Sequence, residues 1–194
     1  MQEQRFENMR EEAKSKIKDA GLLLFSTKGF TQVSIQDIAK SANISTGLMY
    51  RYYKSKKDLF EELVFEATSS MDFLPQMIEY IKDPKIVVLE LVSGMLNSMT
   101  ESFKTARLLS LMSLAFLNDS IDNRDFIMEK FSNLYVQLSK VLEEGQKSGV
   151  FRSGNALAMA THLFTTIQGV ANAQLVNENY VLPSVDMITA FIIK

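Results

Sequence analysis

The amino-acid sequence predicts an all-α protein. Only three prolines and eight glycines interrupt its 194 residues. Apolar residues recur at the three-and-four spacing of a helix through most of the chain, and no stretch of useful length alternates apolar and polar residues as a half-buried strand would. With 46% apolar and 23% charged residues, the composition is that of an ordinary globular chain, long enough for one or two compact units. There is no internal repeat and no low-complexity segment.

Taken in order, the opening MQEQRFENMREEAK is polar and mixed in charge, without the apolar core of a secretory signal. Ala13, Ile17, Ala20, Leu23 and Leu24 place a first helix over residues 13–25, which Gly29 can close in the left-handed conformation. Ser34 with Asp37 three residues on is close to a capping box and starts a short helix to about Ala42. Asn43 suits a left-handed turn. Ser45 caps a second short helix to about Tyr53, and Ser55 caps a third that begins at Lys56 and runs past Glu66. Pro75 and Pro84 each stand where a helix start tolerates them. Further helices are expected over residues 85–103, 105–117, 124–147 and 155–176, with Asn118-Asp119-Ser120 and a turn at residues 149–154 between them. Pro183 leaves room for a last short helix. The most apolar run, residues 108–117, is ten residues long and carries Ser110 and Ser113. It is too short to span a bilayer, so no membrane partner is expected and the cytoplasm is the expected location.

Two short helices joined by a tight turn, the second beginning Ser45-Thr46-Gly47, have the pattern of a helix-turn-helix. Ala39 is small where the helices must cross, and Ile38, Ile44 and Met49 are spaced to fill the core beneath. Gln36, Thr46, Gly47, Leu48, Tyr50 and Tyr52 are left to face outward in part. The net charge is only −2, yet residues 40–57 hold five cations (Lys40, Arg51, Lys54, Lys56 and Lys57) and no Asp or Glu. From residue 68 onward there are 10 basic and 13 acidic residues. A local basic patch on an acidic chain suits a site-specific nucleic-acid binder, and equally a solvated helix end.

Over residues 13–65 the chain resembles the DNA-binding domain of the TetR/AcrR family of bacterial regulators. The resemblance is carried by Ala20, Phe25, Lys28-Gly29-Phe30, Ser34-Ile35-Gln36-Asp37-Ile38-Ala39, the run from Ala42 to Lys56, and Leu59. It implies an N-terminal three-helix helix-turn-helix domain (residues 1–66) and a C-terminal helical domain for effector binding and dimerisation (residues 67–194). It implies DNA contacts from Ser34, Gln36, Ser45, Thr46, Gly47, Leu48, Tyr50, Tyr52 and Lys56. Ser45 at a helix N-terminus favours a phosphate. Tyr52 and Lys56 match phosphate contacts that set register, whereas Thr46 and Gln36 stand where base edges are read. Leu48 replaces a small polar residue and either meets a thymine methyl or packs inward. The implied partners are a palindromic operator, a second copy of the chain and a small, largely apolar effector. Repression is the usual outcome.

In the C-terminal half, the resemblance makes the Met- and Phe-rich middle a candidate effector pocket, with Met71, Met95, Met99, Phe103, Met112 and Phe116 as lining residues. An ordinary core is the alternative for each. Ile127, Phe131, Leu134, Leu138, Val141 and Gly145 form a heptad-like stripe. With Ala160 and Ile167 on the following helix it forms either a dimer interface or an internal seam. Cysteine is absent, His162 is the only histidine, and no Glu-x-x-His, Gly-rich phosphate loop or nucleophile elbow appears. No metal, cofactor or enzymatic activity is therefore expected. The competing readings are a helical DNA binder without ligand control and a carboxylate-based enzyme.

Overall fold

The computed structural model describes residues 2–69, 72–117, 124–177 and 179–194. Among these the fold is all-helical, with one isolated antiparallel bridge between Phe151 and Ile193. The N-terminal unit is α1 (Gln2–Lys28), α2 (Ile35–Ser41), α3 (Thr46–Tyr52) and the first turns of α4 (Lys56–Ser69). The C-terminal unit is α5 (Phe73–Tyr80), α6 (Pro84–Glu101), α7 (Lys104–Leu117), α8 (Arg124–Lys147), α9 (Ala156–Val176) and α10 (Val185–Thr189). The expected chain break at Asn118-Asp119-Ser120 lies outside the described residues.

Local chemistry sets most boundaries. Ser34 accepts a hydrogen bond from the Asp37 N–H while Asp37 accepts one from the Ser34 N–H, a complete capping box. Ser45, Asn155 and Ser184 cap α3, α9 and α10. Pro84 occupies the first turn of α6, behind an Asp83 cap. Gly29 and Asn43 take the positive φ angles of 78° and 54° that their turns require. Two expected bounds move. α1 begins at Gln2, well before the apolar pattern does, because residues 2–12 contain no Gly or Pro and can extend a helix whose apolar face starts later. α6 stops at Glu101, because Ser102 is extended and closes it.

Two hydrophobic clusters share α4: its buried side chains up to Val64 belong to one and Ala67 to the other. The N-terminal cluster (Ile17, Phe25, Ile38, Met49, Leu59 and Phe60 among others) also takes in Leu111, Ala115 and Ile127 from α7 and α8. The Phe25, Phe30 and Phe60 rings meet at centroid distances of 5.0–5.9 Å and fill its centre.

At the end of α8, a Cβ on Gly145 would lie 2.0 Å from the ring of Phe151, which is 1% exposed. Gly145 thus packs within the chain and does not continue a partner-facing stripe. Alanine ordinarily gains about 1 kcal/mol over glycine in a helix interior. Here overpacking against an immobile ring costs about 1–3 kcal/mol. We expect Gly145→Ala to lower the urea midpoint, and Gly94→Ala, where an added Cβ meets nothing within 4 Å, to raise it.

Candidate functional site

α2 and α3 form the helix-turn-helix. Ile38, Ala39 and Met49 are buried at 0–1% exposure and fix the crossing. The turn is held by the Ile44 N–H donating to the Ala39 carbonyl at 3.0 Å. Gln36, Ser45, Gly47 and Tyr50 are exposed, and Thr46, Leu48 and Tyr52 are half-buried. Lys40 on α2, Arg51 on α3 and Lys54 just after it are exposed as well.

Three of the expected contacts have other duties. The Ser34 hydroxyl is occupied by Asp37, accepting from its N–H and donating to its carboxylate. That bond, with the Lys28 and Lys40 charges, holds the Asp37 carboxyl below its ordinary range. The Tyr52 hydroxyl points to the Arg10 carbonyl on α1 at 3.4 Å, a weak bond. The Lys56 ammonium donates to the carbonyls of Phe30 (2.8 Å), Thr31 (3.2 Å) and Val33 (2.7 Å), and lies 4.6 Å over the Phe30 ring. All three of its donors are used. In the structure Lys56 ties the start of α4 to the loop that delivers Ser34 and α2.

A second brace, not foreseen from sequence, joins α1 to α4. Lys14 pairs with Glu62 at 2.9 Å, and Lys18 pairs with Glu66. Burial works against the charge on Glu62, but Lys14, Tyr53 and Lys18 outweigh it and hold the carboxyl below its usual range. The Tyr53 phenol is pushed up by burial first, then by the Glu62 charge.

The C-terminal unit holds a partly open cavity of about 590 Å³ between α5, α6, α7, α8 and α9. Met95, Met112 and Phe116 line it as expected. Met99 does not: its side chain is buried in the core at 1% exposure, and its carbonyl accepts from Gln174. Phe103 also faces elsewhere, beneath Arg107, and Met71 lies outside the described residues. Leu134 and Ile167, expected at a dimer interface, are cavity walls.

The rest of that expected interface is also internal. Ile127, Leu138, Val141 and Ala160 are 0–4% exposed within the single chain. Leu138, Val141 and Ala160 lie in the core that α8 and α9 share, and Ile127 lies in the N-terminal cluster. A heptad spacing specifies one apolar face of a helix and does not say whose surface covers it.

These features define a class: a helical protein with a helix-turn-helix in its N-terminal part and a partly open, mainly apolar cavity among its later helices. Residues 17–63 match the bacterial regulatory proteins of the tetR family. The chain is 30% identical over 131 residues to IcaR, the biofilm operon icaADBC HTH-type negative transcriptional regulator of Staphylococcus aureus (strain Newman), covering 68% of this chain and 56% of that protein. It thus spans little more than half the length of that curated relative. Among solved structures, the ketosteroid transcriptional regulator KstR2 of Mycobacterium tuberculosis superposes with a TM-score of 0.74 at 14% identity, over 93% of this chain and 94% of that one. A protein from Saccharomonospora viridis in complex with choline superposes with a TM-score of 0.68 at 24% identity, over 95% and 99%. The chain belongs to the TetR/AcrR family.

The Lys56 geometry makes a direct prediction. Lys56→Ala leaves three carbonyls without their donor, two of them partly buried, and should lower stability in urea unfolding by about 1–3 kcal/mol. A lysine serving only a DNA phosphate would leave stability unchanged.

Proposed function

We propose that this protein is a cytoplasmic, sequence-specific DNA-binding regulator that acts as a homodimeric repressor and leaves its palindromic operator when a small, largely apolar molecule enters the C-terminal cavity. The observation that carries the DNA reading is the exposed N-terminal end of α3. Ser45 caps it with an oxygen that accepts from the Leu48 N–H, which leaves the hydroxyl proton for a phosphate. Thr46 and Gly47 follow at once, Gln36 stands exposed on α2, and Lys40, Arg51 and Lys54 are exposed on or just after the same two helices. Such a helix end fits a major groove about 12 Å wide. Nothing in this reading requires enzymatic turnover.

The release mechanism follows from α7. Met112, Ser113 and Phe116 face the cavity, while Leu111 and Ala115 are buried in the N-terminal core against α1 and α4. A ligand that moves α7 moves α4, and Lys56 at the start of α4 carries the loop before α2 with it. The two recognition helices of a dimer must match grooves about 34–36 Å apart, or a multiple of that turn, so a small tilt costs affinity. Linkage then requires operator DNA to weaken the ligand by the factor by which the ligand weakens DNA binding.

For the dimer, we assign the outward face of α9. That helix carries no Asp, Glu, Lys or Arg from Ala156 to Val176. Ala158, Thr161, Thr165, Gly169 and Asn172 are exposed along one side. The internal seam of α8 and α9 holds this face in place.

Two outcomes test the reading. DNase footprinting beside the protein's own coding sequence should reveal a protected palindrome. Gln36→Ala and Thr46→Ala should each reduce discrimination at particular base pairs by about 1–3 kcal/mol; equal affinity for shuffled DNA at the same salt would favour an architectural binder instead. Gly169→Arg, at a position where an added Cβ meets nothing within 4 Å of the chain, should yield a helical protein that sediments as a monomer and binds its operator weakly. A G169R protein that remains dimeric would move the interface off this face.

A further inference from the structure

We propose that Arg51 is a base-reading residue of α3 and requires a guanine in each half-site of the operator. This rests on the reading of α3 as the helix that enters the major groove, and adds to it a residue and the base that residue selects. Met49 is 0% exposed and marks the inward side of α3. Gly47 and Arg51 stand two residues before and after it, each about 160° round the helix. Both are exposed, and four residues apart they lie one above the other on successive turns. Leu48, half-buried, and Tyr50, 51% exposed, flank them on either side. Arg51 therefore lies on the outermost line of α3, the line that goes deepest into a groove.

The missing side chain at Gly47 gives Arg51 its reach. Side chains of a helix lean toward its N-terminus, so Arg51 is directed over the turn that holds Gly47, about 5.4 Å away. A Cβ at Gly47 would meet only the Ser45 Oγ, at 4.0 Å, and without one that face is bare. The surrounding segment offers the guanidinium no free carboxylate. Residues 38–57 contain no Asp or Glu, and the flanking Asp37 and Asp58 are hydrogen-bonded to Ser34 and Ser55. The other cations of the segment are differently placed. Lys56 is held by three carbonyls, and Lys57 pairs with Glu61 at 3.8 Å. Lys40 stands in the last turn of α2, and Lys54 follows the end of α3. A lysine is a point charge, whereas a guanidinium presents N–H groups in a fixed fork that matches O6 and N7 of guanine, the commonest specific contact in the major groove.

The test is selection of duplexes from a random-sequence library by the full-length protein, followed by affinity measurements on the enriched site. The wild-type protein should enrich a guanine at one position of each half-site. Replacing that guanine by 7-deazaguanine, which keeps its pairing and loses N7, should weaken binding about fivefold or more. Arg51→Gln should turn the preference at that position to adenine, which Gln bonds at N6 and N7. Arg51→Lys keeps the charge, so affinity for non-cognate DNA and its salt slope should change little, while the penalty for 7-deazaguanine falls. Circular dichroism confirms that these surface variants keep their helices. Base preferences unchanged in Arg51→Gln and Arg51→Lys would make Arg51 a phosphate contact and overturn the proposal, with sequence-specific binding left standing. An enriched half-site without a guanine would do the same. Failure of the wild-type protein to enrich any sequence would overturn sequence-specific binding and this assignment together.

Discussion

Leu111 and Ala115 on α7 are buried in the N-terminal core, while Met112 and Phe116, one residue further round the same helix, form a wall of the cavity. The reason lies in size. A unit of roughly 60 residues buries only about 60% of the surface its unfolded chain exposes. The helix-turn-helix unit completes its core with side chains from α7 and α8, Ile127 included. A helix serving two cores cannot shift in one without being felt in the other, because packed interiors are close to incompressible. The need for a larger core thus provides the connection that the proposed ligand control would use.

Around that shared helix, charged groups divide into those that build the site and those that face outward. Lys56, Lys14 and Lys18 are spent on carbonyls and carboxylates that fix α4 against the loop before α2 and against α1. Lys40, Arg51 and Lys54 remain exposed beside α3. A basic segment therefore holds two populations with different consequences on mutation. Internal lysines set where α3 sits, and in the proposed function the exposed ones would supply a sequence-independent attraction to phosphates.

The C-terminal unit rearranges the roles that periodicity suggests. Leu134 and Ile167 lie on stripes that spacing alone could assign to a partner, yet they line the cavity, and Leu138, Val141 and Ala160 pack beside them at 0–4% exposure. The face left on α9 is short-chained and uncharged, which is poor material for a core but permits close approach of a second helix. Met99 and Phe103 share the composition of the cavity residues but not their direction, since α6 turns Met99 into the core and ends just before Phe103. Composition marks a region as adaptable; helix phase decides which side chains meet the empty volume.

What the sequence determined by itself is the local grammar. Ser34 with Asp37, Asn43, Ser45 and Gly29 set the caps and turns of the helix-turn-helix, because those signals act over three or four residues and need no distant partner. The sparse Gly and Pro and the helical spacing fixed the all-α class for the same reason. Tertiary structure decided everything that depends on which surfaces meet. It gave Lys56 to three carbonyls 23 to 26 residues away. It turned an apparent partner seam inward, and it gathered residues from five helices around a cavity. A repeat in sequence specifies a face on a helix, but only the arrangement of all the helices says what that face touches.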